Sequence, residues 1–225
     1  MRKAVLHLKK SDPLMRAIIE RVGPCRMEFG DPTFHSLAEA IVYQQLNGKA
    51  AATIFNRFTA LTGDPVTPEG ILRLSAAQLR AVGLSKQKSS YLFDMAERAT
   101  RGELDFSKLA EMTDDEVIEH LTQVKGVGVW TAHIFLMFTL RRPDVLPTGD
   151  FGIRMAMHKH YLVRPAKRKN GAGKTKTKKA VTKTPRVKIT LPTPDQMQKI
   201  AKRWEPYRSI ACWYLWKSLD AKTIG

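Results

Sequence analysis

The chain is punctuated by helix-opening chemistry, and this constrains its fold more than any other feature. Asp12-Pro13, Asp31-Pro32, Thr67-Pro68 and Thr193-Pro194 each place a capping side chain ahead of a proline. Such a side chain accepts orphan amides, and proline is tolerated in the first turn. Ser75 with Gln78, Thr113 with Glu116 and Thr193 with Gln196 have capping-box spacing. Gly23-Pro24, Asn47-Gly48 and Gly83 supply stops. Between them, apolar residues recur at three- and four-residue spacing, as in Phe34, Leu37, Ala38 and Ile41. No β-alternation of useful length competes. The expectation is an all-α chain of roughly nine to eleven helices.

Charge narrows the function classes. The 225 residues carry a formal net charge of +17, which favours a polyanionic partner, nucleic acid first. Eleven of the lysines and arginines fall between Arg164 and Lys188, a stretch without an acid. That composition cannot bury enough apolar surface to offset its ordering entropy. Residues 164–190 are therefore expected to form a flexible basic insertion, a sequence-blind tether to DNA or a solvated loop. No apolar run reaches the ~18 residues of a membrane span, and the N-terminus lacks an export signal. Cys25 and Cys212 form no metal or disulfide pattern. The expected setting is intracellular and DNA-associated. His133, His158 and His160 have no carboxylate or cysteine at matching spacing, so no catalytic metal is expected.

The stretch Lys125-Gly126-Val127-Gly128-Val129-Trp130 reads as a tight turn between two helices. Gly126 and Gly128 permit positive φ and close backbone approach. The turn either lets two helices cross or presents amides to a phosphate, with Lys125 adding charge. About twenty residues further on, Asp150 stands in "LPTGDFGIR". Read alone it is a helix cap.

The order of several motifs resembles the helix-hairpin-helix DNA glycosylases. They are the glycine hairpin followed by Asp150, "QQLNGKAA", "GLSKQK", and "WEPYRSIACWYLW". The most similar branch is the alkylation-repair type, DNA-3-methyladenine glycosylase II. The resemblance covers about residues 28–220 without the basic insertion. It implies a two-lobed fold with a cleft, a single unit over 1–225. One lobe spans about 36–120, and the other combines 1–35 with 121–225.

The resemblance also implies roles. Asp150 would be catalytic, its carboxylate stabilising positive charge on the deoxyribose and orienting water. Trp130 and Trp216 would form the pocket for a flipped base, since aromatic faces attract cationic alkylated purines. Trp204 would be core. Ile134 departs from a pocket tyrosine found in some relatives, which leaves the stacking arrangement open. Gln45 would plug the emptied duplex and Asn47 would touch the minor groove beside it. Gln44 would be structural. Lys125, Gly126 and Gly128 would grip phosphate, and a structural monovalent cation could sit at the backbone of Gly126 and Gly128. No further cofactor is implied. Relatives with lyase activity carry lysine where this chain has Trp130, so a monofunctional, hydrolytic enzyme is expected. The expected partner is duplex DNA with alkylated bases, bound by a monomer. A glycosylase for hypoxanthine or uracil and a non-catalytic DNA-binding module are the alternatives. Arg208 would hold the closing helix or position DNA.

Overall fold

The computed structural model describes residues 1–46, 48–163 and 190–220. Asn47 and, apart from Thr190, the basic segment 164–190 lie outside the described residues. Twelve α-helices and no strands occur among the described residues. This exceeds the sequence expectation by a helix at the very start, α1 (Arg2–Ser11), which buries Ala4 and Leu8. Its N-cap is Met1, which makes no side-chain cap, so the sequence carries no start signal there.

The capping signals otherwise form as chemistry dictates. Asp12 caps α2 (Pro13–Val22), which ends at Gly23 with φ 87°. Thr67 caps α5 (Pro68–Leu72). Complete capping boxes open α6 (Ala76–Ala81), α8 (Asp114–Thr122) and α11 (Pro194–Ala201). Asp31 is not the cap of α3 (Phe34–Tyr43), which Thr33 caps two residues later. Asp31 instead accepts the Ser36 hydroxyl on its carbonyl. That helix stops at Tyr43, short of the expected run through Leu46, and the chain resumes in α4 (Gly48–Thr62). α7 (Lys86–Thr100) follows.

Packing places α3, α4, α5, α6 and α7 against one another, with α5 on α7 as their broadest contact. α8 pairs with α9 (Val129–Phe138), and α9 also reaches α3. On α12 (Arg208–Asp220) pack α1, α2 and α10 (Phe151–Met157).

Two polar knots hold this second group. Buried Asp12 accepts the amides of Leu14 and Met15 on Oδ1 (2.9 and 3.1 Å). Its Oδ2 accepts Trp204 Nε1 and the Tyr161 hydroxyl, both at 2.8 Å. Burial beside that carboxylate pushes the Tyr161 hydroxyl far above the usual tyrosine range, so it remains a donor. Trp204 is fully buried, a core residue as expected. The second knot settles Arg208. Its guanidinium grips Asp144 at both oxygens (Nε to Oδ1 2.8 Å, the second contact 2.9 Å). Ser209 Oγ donates to the Arg142 carbonyl and accepts the Val145 amide. The start of α12 is thus stitched to the segment that leads into Asp150.

Candidate active site

Asp150 is the N-cap of α10, and Oδ1 accepts the Ile153 amide at 2.7 Å. The local reading as a cap is therefore right but incomplete. Trp216 Nε1 donates to the same oxygen at 2.8 Å, and Trp130 Nε1 donates to Oδ2 at 2.7 Å. Three N–H donors from three helices fix a carboxylate that is only 7% exposed. The positive end of a helix N-terminus adds to this field. Gly152 makes the arrangement sterically feasible, because a Cβ there would lie 2.9 Å from Trp216 Cδ1.

The two tryptophans do different work. Trp130 is 44% exposed and lines a cavity of about 410 Å³ with Gln44, Gln45, Gly126, Gly149, Asp150, Phe151 and Gly152. That size lies within the ordinary range for a small-ligand site. Trp216 is not among the lining residues. It stacks on Phe138 (centroids 5.9 Å apart) and backs the carboxylate. A larger cavity of about 630 Å³, on α6 and α7, reaches Lys125 but not Asp150. It contains none of the groups that converge on the acid.

The hairpin joins α8 to α9, and its glycines are not equivalent. Gly126 has φ 77°, and a Cβ there would fall 2.1 Å from Tyr91 ring carbons. Gly128 does not use positive φ. It is the extended N-cap of α9 (φ −96°), and a Cβ there would meet nothing within 4 Å. Having no side chain, it caps none of the first-turn amides. Those orphan donors and the helix dipole suit an anion. Lys125 is exposed and pairs with Asp94 at 3.4 Å, while its amide donates to Asp94 Oδ2 at 2.9 Å. Gly126→Ala is expected to cost about 2–4 kcal/mol through positive φ and overpacking, read as a lower urea midpoint. Gly128→Ala should cost about 1 kcal/mol or less, the loss of a better N-cap residue.

Gln45 adopts φ 58°, is exposed, and lines the same cavity as Asp150. Gln44 is more than a structural helix end: its Nε2 donates to the Gly126 carbonyl (3.0 Å) and to Thr131 Oγ1 (3.2 Å), joining this turn to the hairpin. Sequence reasoning also missed Phe151, which is 68% exposed on the cavity wall. Its available signal was an aromatic residue in the first turn directly after the acid.

The two carbonyls considered for a monovalent cation each accept one hydrogen bond and keep a second lone pair. Gly126 O already accepts Gln44, and Gly128 O accepts the Ala132 amide. No step is assigned to a cation. Among the described residues no group of three or more His, Cys, Asp or Glu stands together. His160 pairs with Ser218 Oγ at 2.9 Å, and burial holds its imidazole down at about 4.

A two-part helical frame, a glycine hairpin and a donor-saturated aspartate beside a cleft define a class of DNA base-excision protein. Residues 38–183 match the model of the HhH-GPD superfamily base excision DNA repair proteins, and the chain belongs to that family. It is 34% identical over 223 residues to DNA-3-methyladenine glycosylase 1 of Schizosaccharomyces pombe, covering 96% of this chain and 86% of the relative. A solved structure of 3-methyladenine DNA glycosylase from that yeast, in complex with abasic DNA, has a TM-score of 0.77 at 31% identity and covers 98% of each chain. DNA-3-methyladenine glycosidase from Bacillus halodurans gives a TM-score of 0.72 at 34% identity, over 95% of this chain and 88% of that one.

Proposed function

We propose that this protein is a monofunctional DNA glycosylase that hydrolyses the N-glycosidic bond of alkylated bases in duplex DNA. The observation that carries the reading is the Asp150 carboxylate, held at the cavity edge by two indole N–H groups and one helix amide. As the bond to the base lengthens, positive charge grows on the deoxyribose. A preorganised anion stabilises that charge without reorganising during the reaction. The base departs neutral with the bonding electrons, water adds at the sugar carbon, and its proton passes to the Asp150 carboxylate and on to solvent.

The lining also bears on the substrate. Among the described residues around the cavity, Asp150 is the one titratable side chain. A neutral base such as hypoxanthine or uracil leaves well only if something protonates it. A 3-methyladenine or 7-methylguanine already carries positive charge and leaves neutral. The cavity therefore favours the cationic alkylated class, with the exposed Trp130 and Phe151 rings offering π faces to it. The hairpin amides and Lys125 would hold phosphate, Gln45 would fill the emptied stack, and Asn47 would lie beside it in the minor groove. The expected binding unit is a monomer. With Trp130 in place of a lysine, no amine stands at that position to attack the sugar.

The test incubates purified protein with methylated duplex DNA and identifies the freed bases. Release of 3-methyladenine and 7-methylguanine is expected, leaving abasic sites that break only after added alkali. Absence of both bases would sink the alkylation reading. Strand breaks without alkali would contradict monofunctional chemistry.

A further inference from the structure

One side of α7 touches both halves of the proposed DNA grip. Lys88, Tyr91 and Asp94 follow at three-residue spacing, which keeps them on neighbouring faces. Asp94 accepts the Lys125 amide at 2.9 Å, and the Tyr91 ring fills the space where Gly126 has no Cβ. These two contacts fix the hairpin. Lys88 does something separate. Its Nζ donates to the carbonyls of Val42 (2.6 Å) and Gln44 (2.7 Å), at the end of α3.

That helix end is where orphan carbonyls and negative dipole collect, so an ammonium is well matched to it. Burial pulls Lys88 below the usual lysine range, so its charge is held at a solvation cost that a surface lysine avoids. The turn it holds contains a strained residue. Gln45 is exposed and sits at φ 58°, a conformation that disfavours a non-glycine residue by about 1–2 kcal/mol. The described contacts that offset this cost are the Lys88 bonds to the Val42 and Gln44 carbonyls, the Gln44 side-chain bonds and the Leu46 amide on the Tyr43 carbonyl.

We propose that Lys88 is a positioning residue for base extrusion: it fixes the turn at residues 44–46 so that Gln45 enters the duplex at a set distance from the hairpin. The Gln44 amide closes the loop, tying the same turn to Gly126 and Thr131. α7 is then the rail on which plug and phosphate grip share one spacing. This rests on the reading of Gln45 as the plug. It also gives a role to the lysine of "GLSKQK", which the chemistry at Asp150 leaves unexplained.

Lys88→Met keeps the stem and removes the donors. Single-turnover release would be measured from one 7-methylguanine paired with cytosine, and from the same lesion opposite thymine. Extrusion costs less from a mismatch. The paired duplex should lose about tenfold or more in rate, and the mismatched one about twofold or less. An equal loss in both would mark Lys88 as merely structural and overturn the proposal, as would no loss in either. A second readout needs no chemistry: 2-aminopurine placed beside the lesion should brighten less on binding the variant. Unchanged brightening would count against positioning. Should Lys88→Met be insoluble, Lys88→Gln carries the same measurements. Failure of the wild type to release any methylated base would indict the glycosylase reading instead, and the fluorescence would still report on extrusion.

Discussion

Asp150→Asn should fold and still bind DNA, and should release alkylated bases at least about 10³-fold more slowly than the wild type. The geometry gives the reason. Both carboxylate oxygens are acceptors: Oδ1 takes the Ile153 amide and the Trp216 indole, and Oδ2 takes the Trp130 indole. An asparagine offers one oxygen. Its NH₂ group must face an indole N–H in either orientation, donor against donor. The negative charge is lost outright, and with it the stabilisation of a cationic sugar. The mispaired donor should also cost about 1–3 kcal/mol of stability. Affinity for undamaged duplex should hold within about twofold, since Asp150 is only 7% exposed and the proposed phosphate donors lie on the hairpin. Single-turnover base release, with a urea melt as control, decides the matter. A variant within about tenfold of the wild type would remove Asp150 from the chemistry.

The largest expected effect on stability lies far from the cleft. Asp12→Ala should lower the free energy of unfolding by about 3–5 kcal/mol, against a usual total of about 5–15. Asp12 accepts four donors while fully buried. Alanine removes the cap of α2, worth about 1 kcal/mol. It also strands the Trp204 indole and the Tyr161 hydroxyl, each a desolvated donor at about 1–3 kcal/mol. These donors tie the N-terminal helices to the chain that follows α10 and α11, so the loss should be cooperative. Urea unfolding reads it directly. At a temperature where the variant remains folded, its base release should match the wild type. A cost below about 1 kcal/mol would mean that water replaces the carboxylate without penalty.

Features made by neighbours in sequence were legible. A capping box closes between residues three apart, so Ser75 and Gln78 or Thr113 and Glu116 announce themselves whatever surrounds them. Asp150 could be seen as a cap for the same reason, and as an acid only through its place after the hairpin. Where a signal was missing, so was the element: α1 begins at Met1 without a capping side chain. Where a local signal had two uses, the wrong one could be chosen. Both hairpin glycines were read as candidates for positive φ, yet only Gly126 adopts it, and the Tyr91 ring occupies the space a side chain there would take. That ring is 35 residues earlier in the chain.

The sequence by itself determined the helical class and most helix starts, since each rests on partners within a turn, and it pointed to Asp150 and to the missing lysine only through the order of its motifs. Only the tertiary structure decided what those residues do to one another. It turned Trp130 and Trp216 into donors on opposite oxygens of Asp150, bound Arg208 to Asp144, and hung the hairpin and the turn at residues 44–46 on α7. These contacts join residues 20 to 66 positions apart. A directed hydrogen bond needs its atoms placed within a few tenths of an ångström, and over such separations only the packed core supplies that placement.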